Sequence, residues 1–290
     1  MNKTFLLKTL SFFGLLGALS VLAQEPGPAE KIVYKKTEQG ELALHIFYPA
    51  GHQKTDKRSV AVLFHGGGWN GGSPAMFYRQ CEYLASRGIV AMSVEYRLAN
   101  KHKTTPVECV KDAKSAIRWV RQNADQLGID PDQLIAGGGS AGGHIAASTG
   151  TATSFEEETD DKSISYCPNA LVLFNPVYDN SPKGYGYERV KAYWEKISPM
   201  HNLTQATPPT VVIFGTEDKH ISVEMAEAYK RRMKALGVRS ELHLYAGQKH
   251  GFYRYKMSPE LFRETIGDVD MFLTSLGYLE PMKRKNGEVK

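Results

Sequence analysis

With 290 residues, 42% of them hydrophobic, and no long polar tract, the chain can bury one sizeable core, so a single domain is the expectation. Its formal charge is only +5 and its basic residues are scattered, which excludes nucleic acid as an expected partner. Cys81, Cys109 and Cys167 match no metal-ligand or redox spacing, so no metal is expected, and two readings stay open: one disulfide with a free thiol, or three isolated thiols.

The first 23 residues read as a leader. Lys3 and Lys8 precede an apolar run over 10–22, and Val21, Leu22 and Ala23 offer the small-residue site that a signal peptidase accepts. The run is shorter than the roughly 20 apolar residues needed to span a bilayer, so cleavage and export to a bacterial periplasm or the medium are expected, with no stable membrane insertion afterwards. Loss of the two lysines lowers the charge further.

Two strands come next, over 32–36 and 42–48, the second alternating Leu42, Leu44 and Ile46, with a turn at 38–40. Short apolar runs at 60–64, 89–94, 134–136, 170–174 and 210–214 suit strands buried on both faces of a parallel sheet. Between them, Val107, Val110, Ile117 and Val120 share one helical face, as do Ala226, Tyr229, Met233 and Leu236, with Ser222 as cap and Gly237 as stop. A last helix starts at Ser258 and Pro259 and repeats Phe262, Ile266, Val269, Leu273 and Leu276. The fold class is therefore α/β: a mostly parallel, doubly wound sheet over 24–280 with an antiparallel N-terminal hairpin. The aromatic stretch 175–209 breaks the alternation and reads either as a small lid or as an ordinary loop packed by its aromatics; Trp69, Tyr185, Tyr187 and Trp194 are the candidate substrate-lining residues. The acidic run 156–161 reads as a solvated loop, and 281–290 as a flexible tail that contains Lys283, Arg284 and Lys285.

The chemistry sits in three segments. Gly138-Gly139-Ser140-Ala141-Gly142-Gly143 falls where a strand hands over to a helix, and a serine on so sharp a turn is strained and exposes its Oγ. A phosphate loop is the rival reading, but the Gly-Lys-Ser/Thr ending is missing and the position is late for a dinucleotide fingerprint. His65-Gly66-Gly67-Gly68-Trp69 comes directly after the 60–64 strand, so the amides of Gly67, Gly68 and Ala141 can converge as an oxyanion hole. Of nine histidines, His250 is the expected base, lying between the 241–245 strand and the last helix. Asp218, after the 210–214 strand, is the expected acid, with Glu217 its rival one register position away. His65 is expected to brace the oxyanion loop and His144 to pack.

These motifs, together with Val94-Glu95-Tyr96-Arg97-Leu98 and the chain order serine, acid, histidine, make the sequence resemble the α/β-hydrolase superfamily from about residue 30 to 278. Within it, the chain is similar to the His-Gly-Gly-Gly branch of hormone-sensitive-lipase-like esterases and bacterial feruloyl or acetylxylan esterases. The resemblance implies a serine carboxylic-ester hydrolase working through an acyl-enzyme, with no cofactor, on a small-molecule or polysaccharide ester. Gly139 departs from the Asp or Glu usual before the nucleophile in hormone-sensitive-lipase-like members, and the chain lacks their long N-terminal cap. Both departures look like the short exported carbohydrate esterases, which points to small acyl groups on sugars. Arylformamidase or peptidase activity is the enzyme alternative; a catalytically silent binding protein is the alternative of another class. Oligomeric state is not legible.

Overall fold

The computed structural model describes residues 25–282, so the expected leader over 1–23 and the basic cluster at Lys283, Arg284 and Lys285 lie outside the described residues. The chain opens with β1 (Glu30–Thr37) and β2 (Gly40–Phe47) as an antiparallel pair. Then come β3 (Arg58–Phe64), α1 (Tyr78–Ser86), β4 (Val90–Val94), α2 (Ala99–His102), α3 (Pro106–Gln122), α4 (Ala124–Leu127), β5 (Ile129–Gly139) and α5 (Ala141–Thr151). The remainder is β6 (Ala170–Phe174), α6 (Tyr187–Val190), α7 (Trp194–Ile197), β7 (Thr210–Gly215), α8 (Val223–Ala235), β8 (Ser240–Tyr245) and α9 (Pro259–Ser275).

One sheet holds all these strands in the order β1-β2-β4-β3-β5-β6-β7-β8; β3 to β8 run parallel, and β2 runs against β1 and β4. Successive side chains of a strand point to opposite faces, and the continuous apolar runs therefore build two cores. Val60, Val62 and Phe64 of β3 join Val110, Ile117, Ile145, Tyr229 and Met233, on the side of α3, α5 and α8. Ala61 and Leu63 join Leu84, Phe262, Ile266 and Phe272, on the side of α1 and α9. A fully buried Val, Leu, Ile or Phe side chain contributes about 1.5–3 kcal/mol.

The helix ends obey the expected chemistry. The hydroxyls of Ser222 and Ser258 accept from the amides of Met225 and Leu261, and Gly237 comes after α8 at φ 74°. The sequence reading missed the capping box of α3, in which Thr105 and Glu108 satisfy each other's end of the first turn.

The structure decides one open reading and corrects one expectation. All three cysteines are free thiols: Cys81 is buried in α1 on one face of the sheet, Cys109 in α3 on the other, and Cys167 lies in the connection before β6. The acidic run is not simply solvated. Glu157 pairs with Lys35 at 2.9 Å and Arg97 at 3.2 Å, Asp160 with Arg118 at 3.2 Å, and Glu156 with Arg118. These partners come from β1, the loop after β4 and α3, far away in the sequence.

The strand order reverses at β3. The chain leaves it first for β4 on one side and later for β5 on the other, and in open α/β sheets such a reversal opens a crevice at the carboxyl ends of the strands. The loops leaving β3 and β5 face that crevice.

Candidate active site

Parallel pairing places Phe64 of β3 opposite Gly138 of β5, so His65 and Gly66 leave the sheet beside Gly139 and Ser140. The approach is close: a Cβ on Gly66 would lie 3.2 Å from that of Ser140. Ser140 has φ 56° and ψ −123°, a strained conformation for a residue with a side chain. The surroundings enforce it. Its N–H donates to Phe174 O at 2.9 Å, while its carbonyl accepts from the amides of His144 and Val177 at 3.0 and 3.3 Å. The departure at Gly139 has a steric cause: a Cβ there would sit 1.8 Å from the hydroxyl of Tyr253, leaving no room for Asp or Glu.

The base and acid arrive from the loops after β8 and β7. His250 Nδ1 donates to Asp218 Oδ2 at 2.6 Å, and the Asp218 side chain is fully buried. Asn175, at φ 41° just beyond β6, donates to the same oxygen at 2.6 Å, and the amides of His220 and Ile221 donate to Oδ1 at 2.8 and 3.2 Å. Burial pushes the carboxyl up, but the His250 bond and these amides outweigh it and hold Asp218 below its ordinary value. An ionised Asp218 fixes the tautomer of His250 and leaves Nε2 to act as a base. Glu217, the rival, is exposed and contributes its backbone N–H to Gln248 O instead.

Ser140, His250, Gly66, Gly67 and Gly68 line one cavity of about 260 Å³. Among the described residues, the amides of Gly67 and Gly68 have no acceptor, and Ala141 begins α5, where the first helical amides lack intrahelical partners. The glycine loop after β3 is braced as expected. His65 Nδ1 donates to Gly66 O at 2.8 Å, its ring stacks on Tyr96, and the Tyr96 hydroxyl donates to His65 O at 2.6 Å. Burial lowers the His65 pKa to about 4, so the ring is neutral. The Tyr-Arg-Leu segment is thereby explained: Tyr96 fixes the glycine loop after β3, and Arg97 binds Asp112 of α3.

His144 does more than pack. Fully buried, and brought down to about 4 by that burial, it reaches Asn180 Oδ1 and Ile197 O through Nε2 and ties the 175–209 segment to α5. Of the four aromatic residues expected to line the substrate site, only Tyr185 reaches the cavity, its hydroxyl 3.3 Å from where a Gly68 side chain would begin. Trp69 is 1% exposed and buttresses the loop from behind, against His144 and Tyr185. Tyr187 starts α6 outside the cavity lining, and Trp194 packs edge-on against His201. The segment is thus part site wall and part packed loop.

The sequence reading missed Met76, His220, Tyr253 and Arg254, which also line the cavity, and Asn175 behind the acid. His220 stands edge-on to His250, with ring centroids 4.9 Å apart. Its position two residues past Asp218 was the available signal. Among the described residues, no group of three or more His, Cys, Asp or Glu side chains is placed to hold a metal ion, and no helix is long and apolar enough to cross a membrane.

Residues 61–254 match a family described as alpha/beta hydrolase fold. Esterase LipC of Mycobacterium tuberculosis is 30% identical over 224 residues, covering 68% of this chain and 54% of that protein. The acetylxylan esterase of Xylanibacter ruminicola is 24% identical over 251 residues, covering 82% of this chain and 48% of that protein. The chain thus spans about half the length of these curated relatives. A thermophilic esterase from Thermogutta terrifontis, solved with propionate bound, superposes with a TM-score of 0.85 at 41% identity, over 90% of this chain and 98% of that one. The same esterase phosphorylated by paraoxon gives 0.84 at 41% identity, over 89% and 97%.

Proposed function

The chain belongs to the alpha/beta hydrolase fold family, and from that premise we propose that it is an exported serine carboxylesterase that removes short acyl groups from carbohydrate esters. The observation that carries the reading is the convergence on one cavity of a strained Ser140, the Asp218-held His250 and the amides of Gly67 and Gly68, which have no acceptor among the described residues.

Ser140 Oγ attacks the ester carbonyl while His250 Nε2 takes its proton, and the resulting imidazolium is stabilised by the buried Asp218 carboxylate. Negative charge develops on the carbonyl oxygen, where the amides of Gly67, Gly68 and Ala141 each lower the barrier by about 3 kcal/mol. The imidazolium protonates the departing alcohol and leaves an acyl-Ser140. A water, deprotonated by His250, then attacks that acyl group, the carboxylic acid leaves and Ser140 is regenerated.

Four observations support the finer parts of the reading. The cavity of about 260 Å³ suits a short acyl group. A relative bears the name acetylxylan esterase, and a structural neighbour holds propionate. The leader pattern of Lys3, Lys8 and the apolar 10–22 run supports export.

The test is release of 4-nitrophenol from acetate, butyrate and octanoate esters, and of acetate from acetylated xylan, by the wild type and by Ser140→Ala. Serine-dependent turnover favouring acetate, with xylan deacetylation, is the expected result. Preference for octanoate would replace carbohydrate by lipid as the substrate class, and no turnover of any ester would overturn the esterase reading.

A further inference from the structure

The cavity wall contains a cation that, among the described residues, has no carboxylate partner. Arg254, four residues past His250, is half-buried and lines the cavity; its Nε donates to Gly251 O at 3.1 Å. Among the described residues, neither of its Nη groups has an acceptor, and no carboxylate lies within 4 Å of it. The other arginines near the interior are held differently: Arg97 and Arg118 pair with carboxylates, and Arg121 binds oxygens of Pro131, Ser165, Cys167 and Asn169.

A second guanidinium stands on the oxyanion side. Arg189 is exposed and donates from Nη1 to Gly68 O at 2.6 Å, with its charge 5.6 Å from the centre of the Tyr185 ring. It too meets no carboxylate within 4 Å among the described residues. Among the described residues, no Asp or Glu side chain lines the cavity. Asp218 lies fully buried behind His250, its oxygens already taken by His250, Asn175 and two amides. The open face of the site is therefore positive next to the reacting serine.

We propose that the preferred substrates are esters that carry a carboxylate, bound by the guanidinium of Arg254 through its open Nη groups, with Arg189 as a second positive charge at the rim. Resting on the esterase reading, this goes on to name the substrate class. An arginine is charged at every working pH, and its planar fork matches the two oxygens of a carboxylate. Partial burial weakens the competition from water, so the pairing discriminates where an exposed one would not. The carboxylate can sit on either side of the scissile bond: in the acyl group, as in a half-ester of a dicarboxylic acid, or in the alcohol, as in an acylated uronic acid.

Two substrate pairs distinguish these sources. For the alcohol side, kcat/KM is measured on 4-acetoxybenzoate and its neutral counterpart 4-acetoxybenzamide; for the acyl side, on 4-nitrophenyl hemisuccinate and 4-nitrophenyl butyrate. The expected result is a preference of about tenfold or more for the charged member of one pair, as a charge-assisted hydrogen bond provides. Arg254→Gln should abolish that preference, Arg254→Lys should keep part of it, and salt at about 0.5 M should weaken it. A charged-to-neutral ratio of one or less in both pairs would overturn the proposal, as would a preference that survives both Arg254→Gln and Arg189→Gln. Failure to hydrolyse any of these esters, neutral or charged, would instead count against the esterase reading. Calorimetry on Ser140→Ala with benzoate and succinate then decides the subsite: binding weakened about tenfold by adding Arg254→Gln supports it, and absence of binding to Ser140→Ala refutes it.

Discussion

Asp218 and Asp112 are both aspartates with fully buried side chains, and both are saturated with donors, yet they serve different ends. Asp112 binds the backbone N–H, Nε and Nη2 of Arg97 and, at 2.8 Å, the ammonium of Lys35, while Lys35 and Arg97 both continue to Glu157. Every path from it ends on another protein group. From Asp218 the path runs to His250, and among the described residues neither Nε2 of that ring nor Oγ of Ser140 has a protein partner. Burying a carboxylate is thus compatible with either role. What separates the proposed reaction centre from the structural clamp is hydrogen-bonding capacity left unused and facing a cavity.

Asp218→Asn probes the reactive side of this contrast and has the largest expected effect. The amide keeps the shape but favours the wrong tautomer of His250, so kcat on 4-nitrophenyl acetate should fall by about four orders of magnitude. The melting temperature should move by only a few degrees, because volume and most hydrogen bonds persist. A variant that unfolds while its folded fraction remains active would reverse the roles assigned to the two aspartates.

Asp112→Ala should do the opposite. It leaves Arg97 and Lys35 part-buried with only Glu157 between them, and breaking a buried pair in this way costs about 3–5 kcal/mol, to be read from urea unfolding. The kcat of the folded enzyme should change little. A near-neutral effect on stability would mean that the cluster is screened by solvent and that its burial carries no weight.

Asn175→Ala comes next. It removes one donor from Asp218, worth about 1.5–3 kcal/mol to a charged acceptor, and should lower kcat about ten- to a hundredfold with KM little altered. Asn175 also marks where sequence reading stops. Ser140 and Asp218 could be singled out because each follows an apolar strand, and His250 because it follows the alternating 241–245 strand and completes the chain order serine, acid, histidine; the structure brings His250 onto Asp218 and onto the cavity that Ser140 lines. Asn175 and Arg254 likewise sit beyond a strand end or a loop motif, but nothing in the letters tells which neighbouring residue turns towards the acid or the cavity. That is decided by which strand ends converge, here β6, β7 and β8. The aromatic residues mislead for a related reason: Trp69, Tyr187 and Trp194 have the composition of a sugar-binding wall, and the same rings fill space equally well behind a loop. The acidic run was misread because its partners Lys35, Arg97 and Arg118 are 38 to 122 residues away, beyond the reach of any local pattern.

The smallest effect sharpens the clamp side through pH. Burial alone would raise the Glu157 carboxyl, but the Lys35 bond and the charges of Lys111 and Arg97 overcome it and bring the pKa from 4.5 to about 2. A carboxylate depressed in the folded state adds stability that is fully present above its unfolded value near 4.5 and is lost as pH falls through about 2. Because Glu157 is partly exposed, screening reduces the contribution to about 1 kcal/mol. Glu157→Gln should therefore be slightly less stable than the wild type at neutral pH, and the gap should close on acidification across that window, as measured by urea midpoints at several pH values. Asp218, Glu95, Glu108 and Glu156 are also held below their ordinary values and are untouched by this substitution, so the acid sensitivity that persists in Glu157→Gln belongs to these other carboxylates together. A gap that stays constant from neutral pH down to about 2 would assign the Glu157 contribution to packing, and would leave Asp112, Arg97 and Lys35 as the whole of the charged clamp.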